Sequence, residues 1–311
     1  MIPDIISTKG LSKRYGSQFV LNDVSLNVKN EDIYGFLGQN GAGKTTTIKL
    51  LSGLLIPTNG EIIIDGMDMN NESRKIKKII GLVPQDSSFY DNRDALSHMI
   101  YYGRLKGLTK KDASEQSNAL LNKIGLKQAK DKTVGHFSHG MKKRLGIAQA
   151  LLNNPRVLIL DEPTNGLDPV GIRQIRELLR ELNNDGITIF ISSHNLLEIQ
   201  EICNRVGIID RGDMILEDSI DQIRHLESNG VITVGVYNLT PEIINLVGSL
   251  EFVVKTELKS KDILDVFVNY EEDAKPEINK LIVESGGRVF KLIENSLSLE
   301  DAFFNATKIR D

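Results

Sequence analysis

Eight short apolar runs punctuate the first two-thirds of the chain, at residues 5–11, 24–28, 32–37, 60–64, 79–83, 157–161, 188–192 and 206–210. Several are apolar throughout rather than at every second position, as in strands covered on both faces. Helical patterns separate them, and this alternation predicts an α/β sheet. Between residues 85 and 154 the rhythm changes. Residues 90–105, 110–124 and 139–152 read as helices without a clear strand among them, so a helical insertion over about 86–154 is expected between two halves of the sheet. A second change falls at 219–230. After it the pattern reads strand 231–237, helix 241–250, strand 252–258, strand 262–268, helix 272–285 and strand 288–293. That β-α-β-β-α-β order predicts a small α+β unit of ferredoxin-like type, with a closing helix at 299–307. The expected organisation is a larger α/β domain over 1–218 and an accessory domain over 225–311.

Composition narrows the class. A length of 311 residues accommodates one large or two modest domains, and 40 % hydrophobic with 26 % charged residues is ordinary for a soluble globular protein. The net charge of −4 offers no basic surplus for nucleic acid, and zero Trp with only 5 % aromatic residues disfavours a stacking platform for single strands. The one cysteine, Cys203, excludes a disulfide within the chain and fits a reducing compartment. It lies in a helical pattern leading into a strand, where packing is its expected role. No apolar run approaches the ~20 residues needed to cross a bilayer. The start, Met1-Ile2-Pro3-Asp4, lacks a basic region followed by an apolar core, so no secretory signal is expected.

Candidate chemistry is concentrated in four places. Gly38-Gln39-Asn40-Gly41-Ala42-Gly43-Lys44-Thr45 reads G-x-x-x-x-G-K-T between an apolar run and a helical one that opens at Thr46. Glycines let successive backbone N–H groups turn toward a polyphosphate, the helix N-terminus adds positive potential, Lys44 reaches the β- and γ-phosphates, and the Thr45 hydroxyl can ligate Mg²⁺. A glycine-rich turn with a surface lysine would share the letters but not the strand–loop–helix context. Next, the run 157–160 ends in Asp161-Glu162. Asp161 suits Mg²⁺ and Glu162 suits a general base for water, although a strand ending in solvated acids would look similar. Gln85 and His194 each follow a strand-like run, at the end where ligands bind in open α/β sheets. A surface glutamine or a structural histidine would be indistinguishable in isolation. Finally, Ser138 offers an N-cap and Gly140 a close backbone approach, before the basic turn Lys142-Lys143-Arg144. Positive charge in a first helical turn opposes the macrodipole, which points to an anion at these amides.

Together these motifs resemble the nucleotide-binding subunit of ATP-binding cassette (ABC) transporters, in order from Tyr15 to about Asp213. Gly38 to Thr45 matches Walker A, Leu158 to Glu162 matches Walker B, and Gln85 matches the Q-loop. Ser138 to Met141 matches the signature, Gly166-Leu167-Asp168 the D-loop, and His194 the switch histidine. Tyr15 falls where the family stacks an aromatic ring on adenine. The resemblance implies an ATPase with ATP and Mg²⁺ as cofactors, the metal held by Thr45, Gln85 and Asp161. It implies a head-to-tail homodimer or paired cassette with Ser138, Gly140 and Asp168 at the interface. It also implies an integral membrane permease as partner, with this subunit at the cytoplasmic face of the membrane. The signature departs from Leu-Ser-Gly-Gly-Gln by carrying Phe137, His139 and Met141. Such variants, and the ending Ser298-Leu299-Glu300-Asp301-Ala302-Phe303, are similar to bacitracin, lantibiotic and multidrug export cassettes.

Two other readings share the phosphate loop. A soluble ABC-type ATPase of ribosomes or DNA repair usually carries two nucleotide domains or a long coiled coil, whereas this chain has one phosphate loop and no sustained heptads. A small-molecule kinase needs an acceptor pocket and gives Gln85, Ser138, Gly140, Asp168 and His194 no role.

Overall fold

The computed structural model describes residues 4–222, 230–268 and 274–295. The chain divides into two compact units, Met1–Asp218 and Ser219–Asp311. In the first unit a hairpin of β1 (Asp4–Tyr15) and β2 (Gln18–Lys29) is followed by β3 (Ile33–Leu37), α1 (Lys44–Leu51), β4 (Asn59–Ile64), β5 (Met67–Asp68), α2 (Met69–Ile79) and β6 (Ile80–Val83). Three helices come next, α3 (Ala95–Leu105), α4 (Lys110–Lys123) and α5 (His139–Leu151). The unit closes with β7 (Val157–Asp161), α6 (Pro169–Asn184), β8 (Thr188–Ser193), α7 (Leu196–Ile202), β9 (Arg205–Asp210) and β10 (Asp213–Ser219).

Two sheets result. One, in the order β2-β1-β4-β5, is antiparallel. The other runs β10-β9-β3-β8-β7-β6, with parallel pairing from β9 through β6. Every residue of β3, β7 and β8 is buried, as the unbroken apolar runs predict for strands covered on both faces. The core lies between the sheets, where α1 contributes Ile48, Leu50 and Leu51, and Tyr34 stacks on Phe190 with ring centroids 5.4 Å apart. Because β3, β7, β8 and β6 are parallel, their C-terminal ends share one edge. Leu37, Asp161, Ser193 and Val83 therefore deliver their following loops to one place. Cys203 packs under β3, where its sulfur would lie 3.0 Å from a Cβ placed on Gly35.

The differences from the sequence pattern are local. α3 begins at Ala95 rather than at residue 90, because the Asp94 carboxylate accepts from the Ser97 N–H at 2.7 Å and caps the helix. β10 has no counterpart among the apolar runs, since all of its residues are half-buried and no alternation marks it. In the second unit β11 (Gly230–Tyr237), α8 (Pro241–Gly248), β12 (Val253–Ser260), β13 (Ile263–Val268), α9 (Lys275–Glu284) and β14 (Arg288–Asn295) follow the β-α-β-β-α-β order. They form an antiparallel sheet in the order β12-β13-β11-β14. Alternate residues Ile232, Val234 and Val236 pack with Ile243 and Ile278 from its two helices. The expected closing helix at 299–307 and the 298–303 motif lie outside the described residues.

Candidate functional site

The phosphate loop leaves β3 at Leu37 and enters α1 at Lys44. Two of its glycines are required by geometry. A Cβ on Gly38 would sit 2.5 Å from the Ile209 carbonyl oxygen, and Gly43 has φ 113° with Leu21 Cδ2 2.6 Å from a built Cβ. Gly43 is also the N-cap of α1 and provides no side-chain acceptor, so the first-turn amides are left to a ligand. Lys44 is buried, and its Nζ donates to the carbonyls of Gly38 (2.8 Å) and Gln39 (3.1 Å).

β7 places Asp161 and Glu162 beside this loop. Ser192 of β8 organises both: its Oγ donates to Asp161 Oδ1 (2.6 Å) and accepts from the Glu162 N–H (3.0 Å). Glu162 has φ 48° and is buried. Its carboxylate is bracketed, with Lys44 Nζ 3.3 Å from Oε1 and His194 Nδ1 donating to Oε2 at 2.8 Å. A cavity of about 430 Å³ opens over this set. Asn40, Gly41, Gly43, Lys44, Thr45, Thr46, Gln85, Glu162 and His194 border it, together with Val20 and Asn165, which the sequence motifs do not single out.

A neighbouring recess of about 240 Å³ is bordered by Thr45, Gln85 and Asp161. A hydroxyl, an amide and a carboxylate are hard oxygen donors of the kind Mg²⁺ takes when phosphate oxygens complete its shell. No group of three His, Cys, Asp or Glu among the described residues could hold a metal alone. The residues therefore fit a magnesium ion that arrives with a nucleotide.

Other motif residues lie elsewhere. Gly38 and Ala42 shape the loop without bordering the cavity, and Tyr15 at the end of β1 is 51 % exposed and outside its lining. Ser138 caps α5 by accepting from the Met141 N–H at 3.3 Å, and Asp168 caps α6 through the Gly171 N–H at 2.8 Å. Neither of them nor Gly140 borders the cavity. His139 Nε2 donates to the Asn165 carbonyl at 3.2 Å and so ties the signature turn to the D-loop. The basic turn is compensated residue by residue. Lys142 pairs with Asp91 (3.2 Å), Arg144 donates to the Ile124 carbonyl (3.1 Å), and Lys143 turns inward to the carbonyls of Gln85 and Glu162. Burial pulls the Lys143 ammonium below its ordinary pKa, while Asp86, Asp161 and Glu162 oppose that shift. Motif reading gave no sign of the inward contacts of Lys143 or of the role of Ser192, because their partners are far off in sequence.

A loop whose free helix-start amides suit an anion, two adjacent carboxylates and a histidine at a sheet edge are the parts of a phosphoryl-transfer site. The profile of the ABC transporter family matches residues 21–165. The bacitracin transport ATP-binding protein BcrA of Bacillus licheniformis is 40 % identical over 300 residues, covering 96 % of each chain. The lantibiotic transport ATP-binding protein SrtF of Streptococcus pyogenes is 40 % identical over 72 % of this chain and 94 % of its own. Among solved structures, a dimeric post-hydrolysis ATP-binding cassette bound to ADP and Pi is 26 % identical, with a TM-score of 0.63 over 69 % of this chain and 98 % of that one. The chain thus belongs to the ABC transporter family, as one of its ATP-hydrolysing subunits.

Proposed function

We propose that this subunit powers a membrane exporter of antibiotic peptides, drugs or related compounds. Two copies close head to tail over two ATP molecules, and a separate integral membrane permease carries the cargo. The observation that carries the reading is the Glu162 carboxylate, held between Lys44 and His194 at the wall of the phosphate-loop cavity. There it can accept a proton from water attacking the γ-phosphate, with its orientation fixed from both sides. Lys44 and the loop amides neutralise phosphate charge. Thr45, Gln85 and Asp161 would hold Mg²⁺, whose charge would balance the phosphate oxygens. His194 fixes Glu162 and contacts the γ-phosphate, while Tyr15 stacks on adenine.

Dimerisation is supported by Ser138 and Gly140, which lie off the cavity of their own chain and would complete the site of a second copy, with Asp168 beside them. The dimeric state of the solved relative supports it further. The export direction rests on the bacitracin and lantibiotic relatives. Residues 1–218 act as the ATP-binding domain, 86–154 as its helical subdomain and 225–311 as an accessory domain. The permease docks beside Gln85 and residues 87–93 and holds the subunit at the cytoplasmic face of the membrane.

The test is Glu162→Gln. It is expected to bind MgATP and to lower phosphate release by about a hundredfold or more. Light scattering should show it dimerising with MgATP and monomeric with MgADP. Near-normal turnover would remove Glu162 from its role, and a persistent monomer with MgATP would remove the dimer.

A further inference from the structure

The second turn of α5 carries a lysine that faces inward. Lys143 is 7 % exposed, and its ammonium donates to two backbone carbonyls, that of Gln85 at 2.9 Å and that of Glu162 at 3.4 Å. A buried ammonium needs acceptors for its three donors, so these bonds constrain the backbone that supplies them as much as the lysine itself. The two segments are independent. One follows β6 and presents the Gln85 amide to the metal-side recess, and the other follows β7 and presents the Glu162 carboxylate to the cavity. From the sheet side Glu162 is held by Ser192, whose hydroxyl and carbonyl oxygens accept its N–H at 3.0 and 3.3 Å. Lys143 grips the same residue at its carbonyl. Its left-handed backbone (φ 48°) is an unfavourable conformation for a residue with a Cβ and needs such over-determination to persist. The carboxylates of Asp86, Asp161 and Glu162 favour the ammonium charge there.

We propose that Lys143 is a positioning residue for hydrolysis: reaching from α5, it ties the backbone at Gln85 to the backbone at Glu162 and thereby sets the aim of both side chains at the nucleotide. The inference rests on the ATPase reading of this site. Loss of the tether lets both groups drift without removing any group that grips the phosphates. The signature is therefore a fall in turnover with binding retained, since small misplacements of reacting groups are costly to rate.

The experiment compares the full chain with Lys143→Met, which has no donor, and Lys143→Gln, whose amide is shorter but can still donate. Turnover, ATP affinity with a fluorescent analogue, and amide hydrogen exchange without nucleotide are measured on each. Lys143→Met is expected to lower kcat by about tenfold or more while KM and the dissociation constant stay within about threefold. Exchange should quicken at 85–87 and 162–165 while the rest of α5 keeps its protection. Lys143→Gln should recover part of both effects, and it carries the test alone if the methionine variant fails to fold. A kcat for Lys143→Met equal to that of the unsubstituted chain overturns the proposal, as does exchange that quickens evenly through α5. If the unsubstituted chain releases no phosphate from ATP, the reading of the site fails instead, and the exchange comparison still decides whether Lys143 tethers the two segments.

Discussion

Gly43 concentrates several demands on one residue. Its φ of 113° lies where side chains are strained, and a Cβ would meet Leu21 Cδ2 at 2.6 Å and the Val20 carbonyl oxygen at 3.1 Å. Its position as N-cap of α1 also fixes where the first-turn amides point. Gly43→Ala is therefore expected to destabilise the first unit by about 1–3 kcal/mol through backbone strain and crowding. Urea denaturation measures the first effect, and nucleotide titration should show weakened ATP binding. An unchanged midpoint would mean that the loop relaxes freely. Glu162 is the opposite case, a residue with a Cβ kept left-handed by its neighbours. The identity of these residues was legible in the sequence because each follows an apolar run with distinctive spacing. The supports around them were not. Ser192 reaches Asp161 from another strand, and Lys143 reaches Gln85 across 58 positions. A basic first turn read along the chain looks like a macrodipole penalty, whereas in the fold Lys143 and Arg144 fall in the second turn of α5 and each of the three charges has its own partner.

Between elements, His98 shows how α3 is tied to α5. The ring is fully buried, His98 Nε2 lies 2.9 Å from Gln149 Oε1, and Nδ1 has no hydrogen-bond partner among the described residues. With Nε2 as donor the ring is neutral, and a second proton would have to sit on a buried, unpartnered nitrogen. Burial accordingly lowers the His98 pKa. The sign follows: below the ordinary histidine value of about 6.5 the unfolded chain takes up a proton that the folded chain refuses, so stability falls as pH falls through that window. The unsubstituted chain should therefore lose more stability than His98→Phe between about pH 7 and about pH 5.5. Urea midpoints at each pH measure this, and parallel curves would contradict it. At this scale the sequence pattern located most strands and the three insertion helices, since apolar runs and caps are local signals. It gave no warning of β10, whose half-buried positions carry no period, and it started α3 early because the Asp94 cap was not recognised.

At the scale of the molecule, the two units have separate cores. One lies between the two sheets around α1, and the other lies between a four-stranded sheet and its two helices. Separate cores with distinct residues predict two calorimetric transitions. MgATP at a hundredfold its dissociation constant should raise only the first unit's transition, by a stabilisation of about 2.7 kcal/mol. A single transition that moves as a whole with nucleotide would show that the units unfold as one. The location of Cys203 has a practical consequence for following such changes. It is the chain's one cysteine, it is walled in beneath β3, and burial drives its thiol well above the ordinary pKa, so it offers neither access nor thiolate to an alkylating dye. The natural chain is thus already a blank background for site-directed labelling: a spectroscopic probe on an engineered surface cysteine would report from that one site, with no native thiol to delete first.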